Sequence, residues 1–244
     1  MFFYKMQYID RISKLIVPYN TEFKKMRIGS QDGDGGYVVS DIPDYKYSAL
    51  YSYGCNDEIT FEKSFHELYN VDSYTYDHTI DNITNKPEYI HFFKQGVAST
   101  KRKDEVFDTI DNHIINNNHK NLNNLFLQMD IEGSEWEVLF KIPNETLLKF
   151  SQMCIEFHMW GPMDNIPLFT HVFEKINKHF VCTHVHGNNF CIERYNEIPK
   201  VIEVSYIRRD LVKDIHIDNR FYPTELDKVN NIHFKDLKMG WWVN

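Results

Sequence analysis

From residue 48 onward the chain alternates short apolar runs with amphipathic stretches. The seven runs have the length and the aromatic or β-branched content of strands, and they are residues 48–54, 71–77, 89–98, 125–131, 151–159, 180–187 and 200–209. The stretches between them carry apolar residues at three- and four-residue spacing, and they include residues 59–69, 103–115, 134–142 and 166–180. This alternation predicts an α/β fold, with a mostly parallel sheet of about seven strands and helices on both faces.

Both ends of this pattern add a prediction. The connection between the last two runs, GNNFCIERYNEIP at residues 187–199, cannot easily hold a crossover helix, so these two strands are expected to pair as an antiparallel hairpin. Before the pattern starts, a helix is expected around residues 8–17, followed by the Gly-rich segment RIGSQDGDGGYVVSD. We therefore expect residues 1–45 to form an N-terminal cap with a Gly-rich flap, and residues 46–244 to form the main domain.

The charge balance argues against one class of partner. The chain has 27 Lys and Arg against 35 Asp and Glu, a formal net charge of −8, whereas nucleic-acid binding needs a basic surplus or a basic cluster. No apolar run reaches the length of about 18 residues that a membrane span needs. The N-terminal MFFYKMQYIDR contains Asp10 and no small-residue cleavage site. We expect a cytoplasmic protein whose partner is a small molecule rather than nucleic acid or a membrane.

Residues at the ends of the first two predicted strands indicate a cofactor site, because ligands of open α/β sheets bind at the carboxyl ends of the strands. Gly54 ends the first run and permits a sharp turn and a close approach of a ligand to the backbone. Asp77 ends the second run, at an interval typical of the acidic residue that binds the ribose hydroxyls of an adenosine cofactor. A tight turn with a surface aspartate is the alternative interpretation.

Gly54 is not part of a GxGxxG motif, which presents glycine backbone and a helix N-terminus to a pyrophosphate. S-adenosylmethionine (SAM) has no phosphate. A lone glycine followed by polar and acidic residues, as in Gly54-Cys55-Asn56-Asp57-Glu58, suits the sulfonium and amino-acid parts of SAM better than a diphosphate. We therefore expect SAM as the cofactor, with a nicotinamide-dependent nucleotide-sugar oxidoreductase as the alternative.

The fourth and fifth predicted strands end in ionisable residues. Asp130 is followed at an interval of two by Glu132, and Glu156 in the same way by His158, so each pair should share one side of its strand. The two strands are predicted neighbours, so Asp130, Glu156 and His158 are expected within about 8 Å of one another. In one interpretation, the three residues hold Mg²⁺ or Mn²⁺. In another, a single side chain acts directly as a general base, either Asp130 or a His158 that Asp130 orients. Charged groups satisfied by helix N-termini and backbone are a third interpretation.

A second polar segment lies at the end of the sixth run. His184 and His186 are two residues apart, and Asn188 and Asn189 follow at the strand end. We interpret His186 and Asn188 as substrate contacts, with a plain turn as the alternative.

The Gly-rich segment contains DGDGG at residues 32–36, which starts like a calcium loop. A count from Asp32 puts Pro43 at the twelfth position, where a bidentate Glu is required, so the calcium interpretation fails. The segment is interpreted as a mobile flap over the cofactor or as an ordinary turn.

One stretch resembles a known family. QMDIEGSEWEVL, residues 128–139, closely resembles the DIEGxE motif of FkbM-like SAM-dependent methyltransferases. RIGSQDGDGGYVV and YSYGCNDEITFE also look like the pattern of a branch of that group. The resemblance covers roughly residues 27–205, and DIEG at 130–133 is its most specific part. It implies a class I SAM-methyltransferase sheet, a Rossmann-like sheet of five parallel crossovers that ends in an antiparallel hairpin.

The resemblance also implies roles for particular residues. By that likeness Gly54, Glu58 and Asp77 contact SAM, and Asp130 adjoins the cofactor and faces the methyl acceptor. The chain departs from the commonest pattern after the second strand, where Tyr76-Asp77-His78-Thr79 stands in place of a frequent Glu-Pro pair. The identity of the ribose ligand therefore stays open.

Many members of the group methylate hydroxyls of sugars, glycans or polyketides. The implied function is O-methyl transfer to a small polar acceptor, a sugar or nucleotide-activated sugar in surface-glycan (capsule) biosynthesis. A non-catalytic SAM- or nucleotide-binding module is a further alternative, and it would have no need for Asp130, Glu156 and His158 to converge. Trp241 and Trp242 are interpreted as core contacts or as contacts of a homo-oligomer.

Overall fold

The computed structural model of the chain describes residues 2–103, 106–160 and 163–243. The strands are β1 (Tyr19–Thr21), β2 (Lys24–Gly29), β3 (Gly36–Asp41), β4 (Ala49–Tyr53), β5 (Ser73–Tyr76), β6 (Ile90–Phe93), β7 (Gly96–Val97), β8 (Phe107–Asp108), β9 (Leu125–Met129), β10 (Phe150–His158), β11 (Phe180–Gly187), β12 (Arg194–Tyr195), β13 (Ile198–Pro199), β14 (Val201–Arg208) and β15 (Ile215–Ile217). The helices are α1 (Phe2–Leu15), α2 (Thr60–Tyr69), α3 (Ile110–Asn116), α4 (Glu135–Lys141), α5 (Asn144–Leu147) and α6 (Ile166–Asn177). Within these ranges, no helix combines the length and apolar character that a membrane span requires.

Seven strands form one central sheet in the order β11-β14-β10-β9-β4-β5-β6. The strands from β10 to β6 pair in parallel. β14 runs antiparallel to both of its neighbours, β10 and β11. The predicted α/β sheet of seven strands is therefore confirmed, and so is the antiparallel pairing of the last two. β14, the last strand of this sheet along the chain, lies between β10 and β11 rather than at the edge of the sheet.

The two faces of the sheet are covered by different elements. On one face, a cluster that includes α1, α4 and α6 packs over alternate residues of the strands, such as Leu125 and Leu127. On the other face, α2 and the β2–β3 hairpin cover the intervening residues, and Phe126 packs against Phe61 and Phe65 of α2. Every residue of β9 is buried, and all but Gln128 are apolar. This is why the central strands read as continuous hydrophobic runs in the sequence.

Three predicted boundaries were wrong. The helix predicted over 103–115 is α3 alone, because residues 107–108 form β8, which pairs with β7. The hydroxyl of Thr109 accepts the N–H of Asn112 and so caps the helix at that point. Residues 104–105 lie outside the described residues.

The other two boundaries concern a strand and the first helix. The run at 89–98, predicted as one strand, is divided into β6 and β7. The first helix, predicted around residues 8–17, is α1, which begins at residue 2 and ends at residue 15. The domain division at residue 45 stays a prediction.

Candidate functional site

The carboxyl ends of β4, β5, β9 and β10 lie along one edge of the sheet, because these strands are parallel. Gly54 directly follows β4 and has a φ of 82°. A Cβ atom at Gly54 would lie 1.7 Å from the backbone oxygen of Asp130, which follows β9. Only glycine fits at this position. The turn after β4 and the loop after β9 are therefore in direct backbone contact.

Asp77 follows β5 and ties two loops together. Its Oδ2 accepts the N–H of Asn56 at 2.8 Å, and its Oδ1 accepts the N–H and the hydroxyl of Thr79 at 2.7 and 2.6 Å. A carboxylate offers about four acceptor positions. Contacts among the described residues take three of these positions and leave one on Oδ2, so Asp77 can still accept a ligand hydroxyl.

A cavity of about 460 Å³ opens at this edge of the sheet. The predicted cofactor residues Gly54, Glu58, Asp77 and Asp130 all line it. Six of the described lining side chains are carboxylates and none is Lys or Arg; the six are Asp34, Glu58, Glu62, Asp77, Asp130 and Glu132. Such a wall attracts a cationic ligand and repels an anionic one.

Glu62, a buried carboxylate in the cavity wall, was not predicted from the sequence. Ser52 of β4 hydrogen-bonds Oε1 of Glu62, and the same hydroxyl lies 2.8 Å from Oε1 of Gln128 on β9. Burial raises the pKa of Glu62 to about 7. The available signal was a Glu on the apolar face of α2, between Phe61 and Phe65. Nothing in the sequence alone shows that this face borders a cavity.

Asp130, Glu156 and His158 lie together at the ends of β9 and β10. Each offers one possible ligand atom, and these atoms lie within 4.8 Å of one another. Nε2 of His158 is 3.4 Å from Oε1 of Glu156 and 3.9 Å from Oδ1 of Asp130. Among the described residues, Oδ1 of Asp130 is buried without a hydrogen-bond partner. The expected proximity is confirmed, while the catalytic and metal-binding roles of the three residues stay predictions.

Glu135 supports the loop that carries Asp130. Its Oε1 accepts the N–H of Ile131 at 3.0 Å and the N–H of Gly133 at 3.1 Å. The loop needs this support because Glu132 and Gly133 have φ values of 55° and 99°, in the left-handed region. The last residue of the DIEGSE segment therefore holds the shape of the residues before it.

Glu135 also orients His158. Nδ1 of His158 lies 3.1 Å from Oε1 of Glu135, and the backbone oxygen of His158 accepts the indole N–H of Trp136 at 2.7 Å. The prediction that Asp130 orients the ring is wrong, because Asp130 lies on the Nε2 side. Glu135 belongs to the quoted motif, but one sequence does not reveal which buried group its carboxylate meets.

Burial and like charge set the protonation of this cluster. Burial raises the pKa of Asp130 to about 7 against the opposing effect of His158. Burial, with the neighbouring carboxylate of Asp130, raises the pKa of Glu156 well above its usual range. Burial lowers the pKa of His158, but the neighbouring carboxylates of Glu135, Asp130 and Glu132 together outweigh burial, so the net shift is upward. The cluster therefore holds protons near neutral pH and can exchange them.

The two predicted substrate contacts are engaged within the protein. Asn188 donates from Nδ2 to Oε1 of Glu156 at 2.8 Å. Nδ1 of His186 is 3.0 Å from Glu203, and its Nε2 is 3.1 Å from Asp236. Burial lowers the pKa of His186, but these two carboxylates outweigh burial and raise the pKa to about 10. Asn188 thus positions Glu156. Neither His186 nor Asn188 is among the described residues that line the cavity. Substrate contact stays a prediction for both His186 and Asn188.

The Gly-rich segment reaches the same site. The side chain of Arg27 donates to two of its backbone oxygens, at 2.6 and 2.8 Å. Asp34 accepts a hydrogen bond from Asn230 at 2.9 Å, and one of its carboxylate oxygens lies within 4.8 Å of those of Glu156 and Glu203. Asp34 and Gly35 also line the cavity, so the segment closes one side of it. Its movement as a flap stays a prediction.

Comparison with known proteins agrees with this arrangement. A family model described as the methyltransferase FkbM domain matches residues 18–184. The match covers more than half of the chain and includes Gly54, Asp77 and the cluster at the ends of β9 and β10. A search of curated proteins found no match. On the extent of the family match, the chain belongs to the FkbM methyltransferase domain family.

Proposed function

We propose that this protein is a SAM-dependent O-methyltransferase whose acceptor is a hydroxyl of a small polar molecule. The observation that carries the proposal is the cavity with six lining carboxylates and no Lys or Arg among its described residues. It adjoins a cluster of two carboxylates and an imidazole. The first feature suits a cationic cofactor, and the second can remove a proton from a hydroxyl.

The charge of the cavity wall separates the candidate cofactors. When bound, SAM supplies a methyl group on a positively charged sulfur. A nicotinamide dinucleotide carries a diphosphate, which proteins usually bind with a glycine-rich helix N-terminus. The turn at Gly54 is followed by Glu58 rather than by further glycines, and both residues line the cavity. This observation disfavours the nicotinamide-dependent oxidoreductase.

Each predicted cofactor residue has a distinct task in this proposal. Gly54 lets the backbone turn beneath the cofactor, and Glu58 adds negative charge to the wall. Asp77 keeps one acceptor position for a ribose hydroxyl, since Asn56 and Thr79 occupy the other three. Asp130 lies at the junction of the cavity and the cluster.

The cluster can assist the acceptor in two ways. Asp130, Glu156 and His158 fit a hard divalent cation by their oxygen and imidazole donors, and the buried, unpartnered Oδ1 of Asp130 supports this fit. Such an ion, Mg²⁺ or Mn²⁺, would acidify the acceptor hydroxyl. Without an ion, His158 accepts the hydroxyl proton at Nε2 while Glu135 holds Nδ1. A non-catalytic SAM-binding module would have no use for this convergence.

The family likeness and one exposed ring support the proposed acceptor class. Trp160 is 44% exposed and lies beside His158, with 4.5 Å between the ring centroids. An indole at the edge of a site gives the apolar face of a sugar ring a surface to pack on. We propose a sugar or nucleotide-activated sugar of surface-glycan (capsule) biosynthesis as the acceptor, and the cytosol as the compartment.

A product assay tests the activity. Isotope-labelled SAM is incubated with a panel of sugars and nucleotide sugars, and transfer of label to an acceptor oxygen is followed by mass spectrometry. We expect Asp130→Ala to lower turnover by about 10²-fold or more while S-adenosylhomocysteine (SAH) still binds. Glu137→Ala, an exposed carboxylate on α4, is the matched control. Normal turnover by Asp130→Ala would make Asp130 structural.

A further inference from the structure

Glu62 is a carboxylate in a place where carboxylates are rare. It is 2% exposed and lies on α2 between the buried rings of Phe61 and Phe65. It also lines the cavity. A buried charge of this kind is strongly unfavourable unless a partner compensates for the loss of water.

Only half of this carboxylate has a partner in the protein. Ser52 hydrogen-bonds Oε1. Oε2 is buried and has no hydrogen-bond partner among the described residues. No Lys or Arg is found among the described residues that line the cavity. The unpartnered Oε2 suits a donor that enters the cavity from outside, and a cationic donor compensates for the charge best.

The position of Glu62 indicates which part of a ligand it meets. Asp77 follows β5 on one side of β4. The hydroxyl of Ser52 contacts both Glu62 and Gln128, and Gln128 belongs to β9, on the other side of β4. Gly54 turns between them. A ligand whose ribose lies at Asp77 and which passes Gly54 therefore brings its far end to Glu62.

We propose that Oε2 of Glu62 binds the α-ammonium group of the amino-acid part of SAM. This inference rests on the proposed cofactor. The sulfonium of SAM has no N–H or O–H and so gives an oxygen no hydrogen bond. The carboxylate of SAM is repelled by Glu62, whereas the α-ammonium supplies both a positive charge and a donor.

Binding of two nucleosides tests the assignment. SAH carries the α-ammonium, whereas 5′-methylthioadenosine shares its adenosine and thioether and lacks the amino-acid part. By calorimetry, Glu62→Gln should bind SAH about 10- to 100-fold more weakly than the wild type, because an amide replaces the charged acceptor. Its affinity for 5′-methylthioadenosine should be unchanged. Glu67→Gln, an exposed carboxylate on the same helix, is the matched control and should resemble the wild type.

Thermal unfolding checks that Glu62→Gln is folded. The ligand-free variant should have a Tm equal to or above that of the wild type, since a buried charge is removed. A measurement on the unchanged protein adds a second test. The SAH analogue with a hydroxyl in place of the α-amino group should bind the wild type at least about 10-fold more weakly than SAH.

The outcomes separate this inference from the proposed cofactor. If the wild type binds SAH and the affinity of Glu62→Gln for SAH is within twofold of the wild-type value, only the role of Glu62 is overturned. Equal weakening of SAH and 5′-methylthioadenosine would also overturn it, because Glu62 would then support the cavity as a whole. Wild-type protein that binds neither nucleoside would overturn the proposed cofactor and this inference together.

Discussion

Oε1 of Glu135 lies 3.1 Å from Nδ1 of His158, on the opposite side of the imidazole from Asp130 and Glu156. The same oxygen accepts two backbone N–H groups of the loop that follows β9. One buried carboxylate therefore fixes the position of Asp130 and the direction of His158 together. Carboxylates that hold the far nitrogen of a functional imidazole commonly determine which nitrogen is free to react.

The first prediction concerns this contact. Glu135→Gln keeps an oxygen for the loop but replaces the charged partner of Nδ1. We expect kcat to fall by about 10- to 100-fold with KM for SAM nearly unchanged, because the cofactor cavity is not altered. Steady-state kinetics give the two constants, and calorimetry with SAH checks the cavity. Glu137→Gln on the same helix is the control, and a normal kcat for Glu135→Gln would show that His158 needs no orientation.

The second prediction concerns the cluster of Asp130, Glu156 and His158. We expect exhaustive chelation to abolish methyl transfer and Mn²⁺ or Mg²⁺ to restore it. Mn²⁺ should also raise the Tm of the chelated wild type, since binding to the native state stabilises it. Glu156→Gln should lose this rise, whereas Asp72→Asn, an exposed carboxylate before β5, should keep it. Full activity after chelation would instead assign proton removal to His158 alone.

The third prediction concerns the turn at Gly54. Gly54→Ala places a Cβ atom 1.7 Å from the backbone oxygen of Asp130 in a residue with positive φ. We expect the free energy of unfolding to fall by about 2 kcal/mol or more, with loss of SAH binding. Gly33→Ala is the control, because no described residue other than its chain neighbours has an atom within 4 Å of its Cβ position. Denaturant unfolding of both variants gives the comparison, and equal stability would contradict the backbone contact.

The fourth prediction concerns pH and stability. Burial lowers the pKa of His113 to about 4, and its ring stacks on Tyr76 with 4.0 Å between the centroids. In the unfolded chain a histidine has a pKa of about 6.5. Between these values the unfolded chain binds a proton that the folded chain does not, so stability falls as the pH is lowered, by up to about 3 kcal/mol.

Urea unfolding at several pH values between 7.5 and 4 measures this effect. His113→Gln should lose less stability on acidification than the wild type, whatever its stability at neutral pH. His233→Gln, an exposed histidine, should follow the wild type. Parallel curves for all three proteins would show that His113 takes up a proton in the folded state.

The sheet could be predicted from the sequence because its strands are buried on both faces. Central strands must then be almost wholly apolar, as β9 is apart from Gln128, and the helices between them must be amphipathic. Strand ends follow directly from the apolar runs, so the runs alone place Gly54, Asp77 and Asp130 at one edge of the sheet. The boundary of α3 could not be placed, because it depends on side-chain bonds of Thr109 rather than on hydrophobic periodicity.

The polar partners within the site could not be predicted for a different physical reason. Glu62 and Glu135 have the sequence character of ordinary helical glutamates, and their burial arises only when α2 and α4 pack against the sheet. Asp34 lies in a glycine-rich turn, and its approach to Glu156 depends on how the β2–β3 hairpin folds over the sheet edge. Long-range packing, which has no local signal, decides which of these carboxylates lose water.

The fifth prediction concerns the cofactor itself and is measured by calorimetric titration of the wild-type protein with SAM and, separately, with NAD. The carboxylate-lined cavity predicts SAM binding in about the micromolar range and no measurable heat with NAD. Asp77→Ala should lose SAM binding, while Asp72→Ala should retain it. Tight binding of NAD together with no heat from SAM would overturn the assignment of SAM as the cofactor.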